Sequence, residues 1–495
     1  MLRAIYENIQ GGHEVRKNLI ELKKLLKEES NRMAFIYYLA GSYTLLYKLL
    51  EDEDAKVRKN TALIMGELAV PEFVDKLFEA YIKEDKLFVK GDYLVALSHL
   101  DYRHLLEELK ERLSFLTTSN FEETSMKHIH EEMKILTNMI LDIERPEGHT
   151  FMGYDELSDL ILLTNRDHQD ITLEQIHQGN KRIFNAGVLV RTKDLKEILS
   201  IRTYSELLFR LKDVATVVND PTEAAMAIYK GGLLAFLTKR HTGELPYYFR
   251  LEIKTKMPLD KKSAFAKKLA FELEKASDRA LINSTSNYEV EIRLVENKEG
   301  QFNVLLKLYT IKDERFEYRK HAVAASIQPV TAALVAKISE PYLKEGAQVL
   351  DPFCGVGTML IERHKLVPAN PMYGIDLFGE AIDKAIINAK RAETVINFIN
   401  RDFFDFTHNY LFDEIFTNMP TRGGRKSEQE MVMLYHEFFN KALSVLKNEA
   451  VIIMYTRDKS LVLKEVSSRS QCTVLEEYAI SKKEDAYLYI IGINQ

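Results

Sequence analysis

The stretch VLDPFCGVGTML (349–360) decides how the last third of this 495-residue chain folds. An apolar run enters Asp351, a turn carries Gly355 and Gly357, and helix-forming residues resume near Thr358. Strand, glycine turn and helix in that order bring the unpaired N–H groups of a helix start toward a polar or anionic group. Glycine lets the backbone turn tightly and approach a ligand closely. The spacing is not GxGxxG, because position 360 is Leu, so a dinucleotide is not demanded.

Outward from this turn the same pattern repeats. AQVLDPF (347–353), PMYGIDL (371–377), VINFINRD (395–402), FDEIFTN (412–418) and EAVIIMYTR (449–457) read as strands with helical stretches between most of them. TVLEEYAI (473–480) and AYLYIIGI (486–493) read as an antiparallel hairpin at the edge. The expected fold is a doubly wound, Rossmann-like α/β sheet whose ligand lies at the carboxyl ends of the strands. Three carboxylates stand at three successive strand ends. Asp351 suits an ammonium, Asp376 can accept both hydroxyls of a ribose, and Asp402 can accept from an adenine amino group. A single one could be a helix cap; three together fit the parts of S-adenosylmethionine, with Cys354, Gly355, Gly357 and Thr358 forming the turn beside it.

The fourth strand runs into TNMPTRGG (417–424). There the side-chain carbonyl of Asn418 can accept from an exocyclic amine, and Pro420 stiffens a turn that aims a backbone carbonyl inward. An aromatic amine is a weak nucleophile, and two acceptors localise its lone pair and stabilise the charge formed on transfer. An ordinary Asn/Pro/Gly turn is the plainer alternative.

Residues 1–145 show helical spacing almost throughout. DAKVRKNTALIMGEL (54–68) echoes KLFVKGDYLVALSHL (86–100) at an offset of 32, matching Val57 to Val89, Lys59 to Gly91 and Ala62 to Leu94. That echo points to short HEAT-like repeats whose concave side could hold a protein partner, with a plain helical bundle as the alternative. PEGHTFMGYDELSD (146–159) reads as a boundary. Beyond it LILLTNR (160–166), FNAGVLVRT (184–192) and YYFRLEIKTK (247–256) read as strands, and ITLEQIHQ (171–178) and SAFAKKLAFELEKASD (263–278) as helices. NYEVEIRLVEN (287–297) and QFNVLLKLYT (301–310) read as a hairpin turning at Lys298-Glu299-Gly300.

Charge is uneven. Residues 1–160 carry 21 basic and 30 acidic side chains, 161–330 carry 28 and 22, and 331–495 carry 19 and 22. The basic middle leaves room for a polyanion site in a chain of net charge −6. No run of about 18 apolar residues and no secretory leader are visible, so a cytoplasmic protein away from membranes is expected. Two cysteines, Cys354 and Cys472, exclude a disulfide scaffold and a cysteine-rich zinc site, and no metal is expected.

The DPFCGVGT string and the later Asn418–Thr421 turn resemble the THUMP-domain RNA methyltransferases, which modify the exocyclic amine of guanosine in tRNA or 23S rRNA. HAVAASIQPVTAALV (321–335) looks like the helix leading into that family's catalytic domain, and LILLTNRDHQDITLEQI with YYFRLEIKTK through RFEYRKH looks like its RNA-binding part. The resemblance covers about 155–495 and implies three parts. These are a helical HEAT-like region (1–145), a ferredoxin-like or THUMP-like α+β region (155–320), and a class I S-adenosylmethionine-dependent methyltransferase domain (321–495). It implies cofactor contacts at Asp351, Asp376 and Asp402, a grip on the target amine at Asn418, and N2-methylguanosine in structured tRNA or rRNA as product. Lys254, Lys256, Lys267 and Lys268 become candidate backbone contacts, and Arg422 and Arg425 candidate phosphate or base contacts. The chain departs from the family at Met419, where a proline is usual, and at Thr421, where an aromatic stacks on the base. That departure keeps two other readings open: an adenine-N6 nucleic-acid methyltransferase, and a non-catalytic RNA-binding or assembly protein that retains a cofactor pocket.

Overall fold

The computed structural model describes residues 2–119, 121–122, 124–144, 148–324, 326–421 and 427–494; Arg422, Arg425, residue 145 and residues 146–147 of the expected boundary lie outside them. The chain forms two compact units, Met1–Gly148 and His149–Gln495.

In the first unit the described residues form nine α-helices. The echoed segments are the helices Ala55–Leu68 and Leu87–Leu97, which pack against each other. Two of the three matched pairs are buried, Val57 with Val89 and Ala62 with Leu94, and the third, Lys59 with Gly91, is half-buried. The repeat is therefore a repeat of core contacts. Arg58 joins this pair to the next turn through both carboxylate oxygens of the buried Glu84, at 2.8 and 2.7 Å.

The second unit holds two large sheets. The first has nine strands. Its path runs Asn180–Phe184, Gly187–Thr192, Ser158–Thr164, Tyr204–Arg210, Phe302–Leu308, Val290–Glu296, Tyr247–Lys254, Leu281–Asn283, and Thr216–Val217 also pairs with Phe302–Leu308. Alternation puts Leu160, Leu162, Val190, Phe249, Ile292 and Leu306 on one face, where they share a core with Ile228, Leu237, Leu269 and Leu273 from the helices. Three expectations need correction. FNAGVLVRT is not one strand, because Asn185 and Ala186 turn Asn180–Phe184 back onto Gly187–Thr192. The helix expected over 171–178 spans Gln169–Glu174. The helix expected over 321–335 begins only at Pro329, since the residue before a proline is driven out of helical geometry and Gln328 is extended with ψ 137°.

The second sheet is the doubly wound one. In chain order it comprises α1 (Pro329–Ser339), β1 (Val349–Asp351), α2 (Thr358–Leu366), β2 (Met372–Asp376), α3 (Gly379–Arg391) and β3 (Asn397–Asn400), then β4 (Phe412–Asn418), α4 (Glu428–Val445), β5 (Leu446–Thr456), α5 (Lys459–Ser467), β6 (Cys472–Ser481) and β7 (Ala486–Ile493). The strand order is β3-β2-β1-β4-β5-β7-β6, with the first five parallel and β7 antiparallel to both neighbours. The order in which the strands are laid down reverses between the parallel neighbours β1 and β4, which opens a crevice at their carboxyl ends.

Candidate cofactor and methyl-transfer site

The crevice is built from short strand ends that a few hydrogen bonds hold in register. Asp351 ends β1 and is fully buried. Its Oδ1 accepts from the Thr417 hydroxyl at 2.7 Å and the Phe353 N–H at 3.1 Å. Its Oδ2 is buried with no hydrogen-bond partner among the described residues. Burial pushes this carboxyl up to about 7; the two hydrogen bonds oppose the shift and nearby Asp376 adds to it. A ligand cation beside Oδ2 would supply the missing partner.

The turn after β1 has the conformation that its glycines allow. Gly355 has φ 53° and open space where a side chain would stand. Gly357 has φ 81° and precedes α2, and a Cβ there would lie 3.0 Å from the Phe398 ring. Thr358 opens the helix, and its buried Oγ1 also lacks a partner among the described residues. Cys354 is buried beside Gly374, its amide donates to Ile375 O at 2.9 Å, and burial pushes the thiol up, out of reach of ionisation. It is a packing contact under the turn.

Asp376 ends β2 and accepts one N–H on each oxygen, from Gly355 and from Phe378, both at 2.9 Å. Each oxygen keeps a lone pair, so two hydroxyls can still be accepted. Asp402 follows β3 and caps a short 3-10 turn, accepting from Phe404 N–H at 3.0 Å on Oδ1. Leu377 and Phe378 follow Asp376 and are 62% and 71% exposed, an apolar surface beside that carboxylate on which a base ring can lie.

Asn418 ends β4 opposite Tyr455 of β5, and its side chain makes no hydrogen bond among the described residues. Met419 N–H donates to Tyr455 O at 2.9 Å, and the Met419 side chain is buried with Met431 and Tyr435. An apolar anchor thus stands where a proline was expected. Pro420 and Thr421 are half-buried. Lys254, Lys256, Lys267 and Lys268 are all exposed in the nine-stranded part.

Two supporting residues were missed in the sequence. Thr417 ties the end of β4 to Asp351 of β1, 66 positions away. Asn388 of α3 is fully buried; it donates to Val356 O at 3.2 Å and His321 O at 3.0 Å and accepts from His321 N–H at 3.1 Å, holding the glycine turn from below. A neutral amide inside an otherwise amphipathic helix was the available signal.

The residues present fit S-adenosylmethionine: an unpartnered carboxylate oxygen for the ammonium, two acceptors at Asp376 for the ribose, and an exposed apolar pair for the adenine. Among the described residues no group of side chains could hold a metal ion, and no helix is long and apolar enough to cross a membrane.

A family model described as "RMKL-like, methyltransferase domain" matches residues 317–484. The tRNA (guanine(10)-N2)-dimethyltransferase of Methanothermobacter thermautotrophicus is 29% identical over 170 residues, 31% of this chain. The chain spans about half the length of that relative, 47%. TrmN from Thermus thermophilus superposes with a TM-score of 0.52 at 18% identity, over 68% of this chain and 99% of its own. The SMU.472 protein, solved in complex with SAH, does so at 0.51 and 14%, over 68% and 98%. A chain from Listeria monocytogenes described as a predicted N6-adenine-specific DNA methylase does so at 0.50 and 14%, over 68% and 96%. The unit His149–Gln495 therefore ends in a Rossmann-like, S-adenosylmethionine-dependent methyltransferase fold related to those of RNA and DNA methylases.

Proposed function

We propose that this chain is an S-adenosylmethionine-dependent RNA methyltransferase that forms N2-methylguanosine in tRNA or rRNA, with a THUMP-like middle region that engages the RNA. The observation that carries the reading is Asn418: an uncommitted amide at the end of β4, one residue from the Thr417 hydroxyl that is bonded to Asp351. The tRNA guanine-N2 relative supports the same substrate class.

S-adenosylmethionine supplies a methyl group on a sulfonium sulfur. Asp351 would hold the ammonium and Asp376 the ribose hydroxyls of that molecule, while the Asn418 carbonyl accepts from the flipped-out amine and aligns it. No strong base is needed, because the amine becomes acidic once alkylated and releases its proton to water. Incubation of the purified chain with labelled S-adenosylmethionine and separate pools of unmodified tRNA and rRNA, followed by nucleoside mass spectrometry, tests this. N2-methylguanosine is the expected product, and N6-methyladenosine would replace the reading with the adenine one. A protein that binds cofactor yet modifies no pool, with Thr421 in place of the stacking aromatic, would favour the non-catalytic reading.

A further inference from the structure

The nine-stranded sheet is asymmetric in charge as well as in packing. Its helix-covered face is apolar, as the core residues above show. The pairing registers put a different set on the other face: Arg182, Leu189 and Arg191, then Asp159 and Ile161, then Glu206, Leu208 and Arg210. The row continues through Leu305 and Lys307, Glu291 and Arg293, and Arg250, Glu252 and Lys254. That makes seven basic and four acidic side chains.

The acidic ones are not evenly available. Glu206 is held by Arg293 at 2.6 Å and Lys307 at 2.8 Å, and Glu291 by Arg250 at 2.6 Å and Arg293 at 2.6 Å. These pairs close a lattice in the middle of the face. Around it Arg182, Arg210 and Lys254 make no side-chain ion pair among the described residues, and Arg191 has only Asp159 at 3.9 Å. Arg182, Arg191 and Lys254 are exposed. Arg191 and Arg210 flank the Asp159 strand, so they stand roughly 10 Å apart, two strand spacings. Tyr309, 41% exposed, adds an aromatic edge.

We infer that this charged sheet face is the docking surface for the RNA backbone, with Arg182, Arg191, Arg210 and Lys254 contacting its phosphates. The inference rests on the RNA reading above and selects between candidate surfaces. Lys267 and Lys268 stand on the helix Leu259–Ala276, in the layer covering the opposite face. Free guanidinium groups on a rigid strand lattice suit phosphate oxygens better than lysines on a helix surface, because the planar fork is pre-organised.

The test compares two variants of the full chain in binding to unmodified tRNA transcript, read by fluorescence anisotropy from 0.05 to 0.3 M salt. In the sheet variant Arg182, Arg191, Arg210 and Lys254 become alanine; these side chains carry no ion-pair lattice, and a thermal melt confirms the fold. Its Kd is expected to rise about tenfold or more, and the slope of log Kd against log salt to fall by about 3, for four lost phosphate contacts. The helix variant (Lys261, Lys267 and Lys268 to alanine) is expected to bind as the parent does. Unchanged binding by the sheet variant, or loss in the helix variant alone, overturns the inference. A parent chain that binds no RNA sinks the RNA reading itself, which is a separate result.

Discussion

The two ends of the doubly wound sheet each bury a carboxylate, and they treat it in opposite ways. Near the start of β4, Glu414 is gripped on both oxygens by the fully buried Arg363 of α2, at 2.9 and 2.7 Å. Arg363 also donates to the Lys344 carbonyl at 2.9 Å and to the Val367 carbonyl, so the cluster is closed. At the other end Asp351 has two donors on one oxygen and none on the other. Burial pushes both carboxyls up, but only Glu414 has a guanidinium to oppose it. A buried charge with both oxygens answered ties elements together; a buried carboxylate with one side open is arranged for a ligand.

That contrast can be broken or sharpened. The largest effect is expected at the closed end: Arg363→Ala leaves Glu414 buried and alone, and urea denaturation should register a loss of about 3–5 kcal/mol. A loss below about 1 kcal/mol would mean that the pair holds nothing. At the open end, Asn418→Ala should lower methyl transfer 100-fold or more, about 2.7–4 kcal/mol in barrier, while calorimetry finds cofactor affinity unchanged. Retained turnover would remove Asn418 from the reaction.

Asp351→Asn sharpens the contrast through pH. The folded carboxyl titrates near 7 against an ordinary 3.8, so its contribution to the stability of the ligand-free protein is complete below about pH 4 and lost as pH rises through 7. A cation binds its ionised form, so cofactor affinity should rise with pH through the same window. The Asn variant should bind more weakly and with a flat profile; a profile identical to the parent's would place the titrating group elsewhere. The smallest effect belongs to Thr417→Val, about 1 kcal/mol in stability. Its hydroxyl lowers the Asp351 carboxyl, so its removal should move the affinity midpoint upward, and Thr417→Ser should restore it.

Much of this was legible along the chain. FDEIFTN and AYLYIIGI are strands with the bounds read from their alternation, Phe412–Asn418 and Ala486–Ile493. The glycine turn was marked by residue types that few other backbones need. What was not legible came from contacts between distant segments. Thr417 looked like an ordinary strand residue, and only the pairing of β1 with β4 gives its hydroxyl a partner. Cys354 lies in the glycine turn, yet its thiol faces Gly374, a choice set by packing. The strand Tyr204–Arg210 escaped notice because Glu206 and Arg210 break its apolar pattern, and they lie on the charged face opposite the shared core.

The Arg202–Glu362 contact has a consequence for how the chain can be divided. Glu362, on the second turn of α2, is nearly sealed from solvent and takes two bonds from Arg202, at 2.8 and 2.7 Å, and one from the Tyr318 hydroxyl at 2.6 Å. Both donors precede residue 321, so a scissor cut there would carry them away and strand an anion inside the helix that opens beside the glycine turn. The sheet that holds the crevice is thus not a cassette: as a portable part it has to travel with the layer before it, and grafts or minimal versions should keep everything from His149 onward.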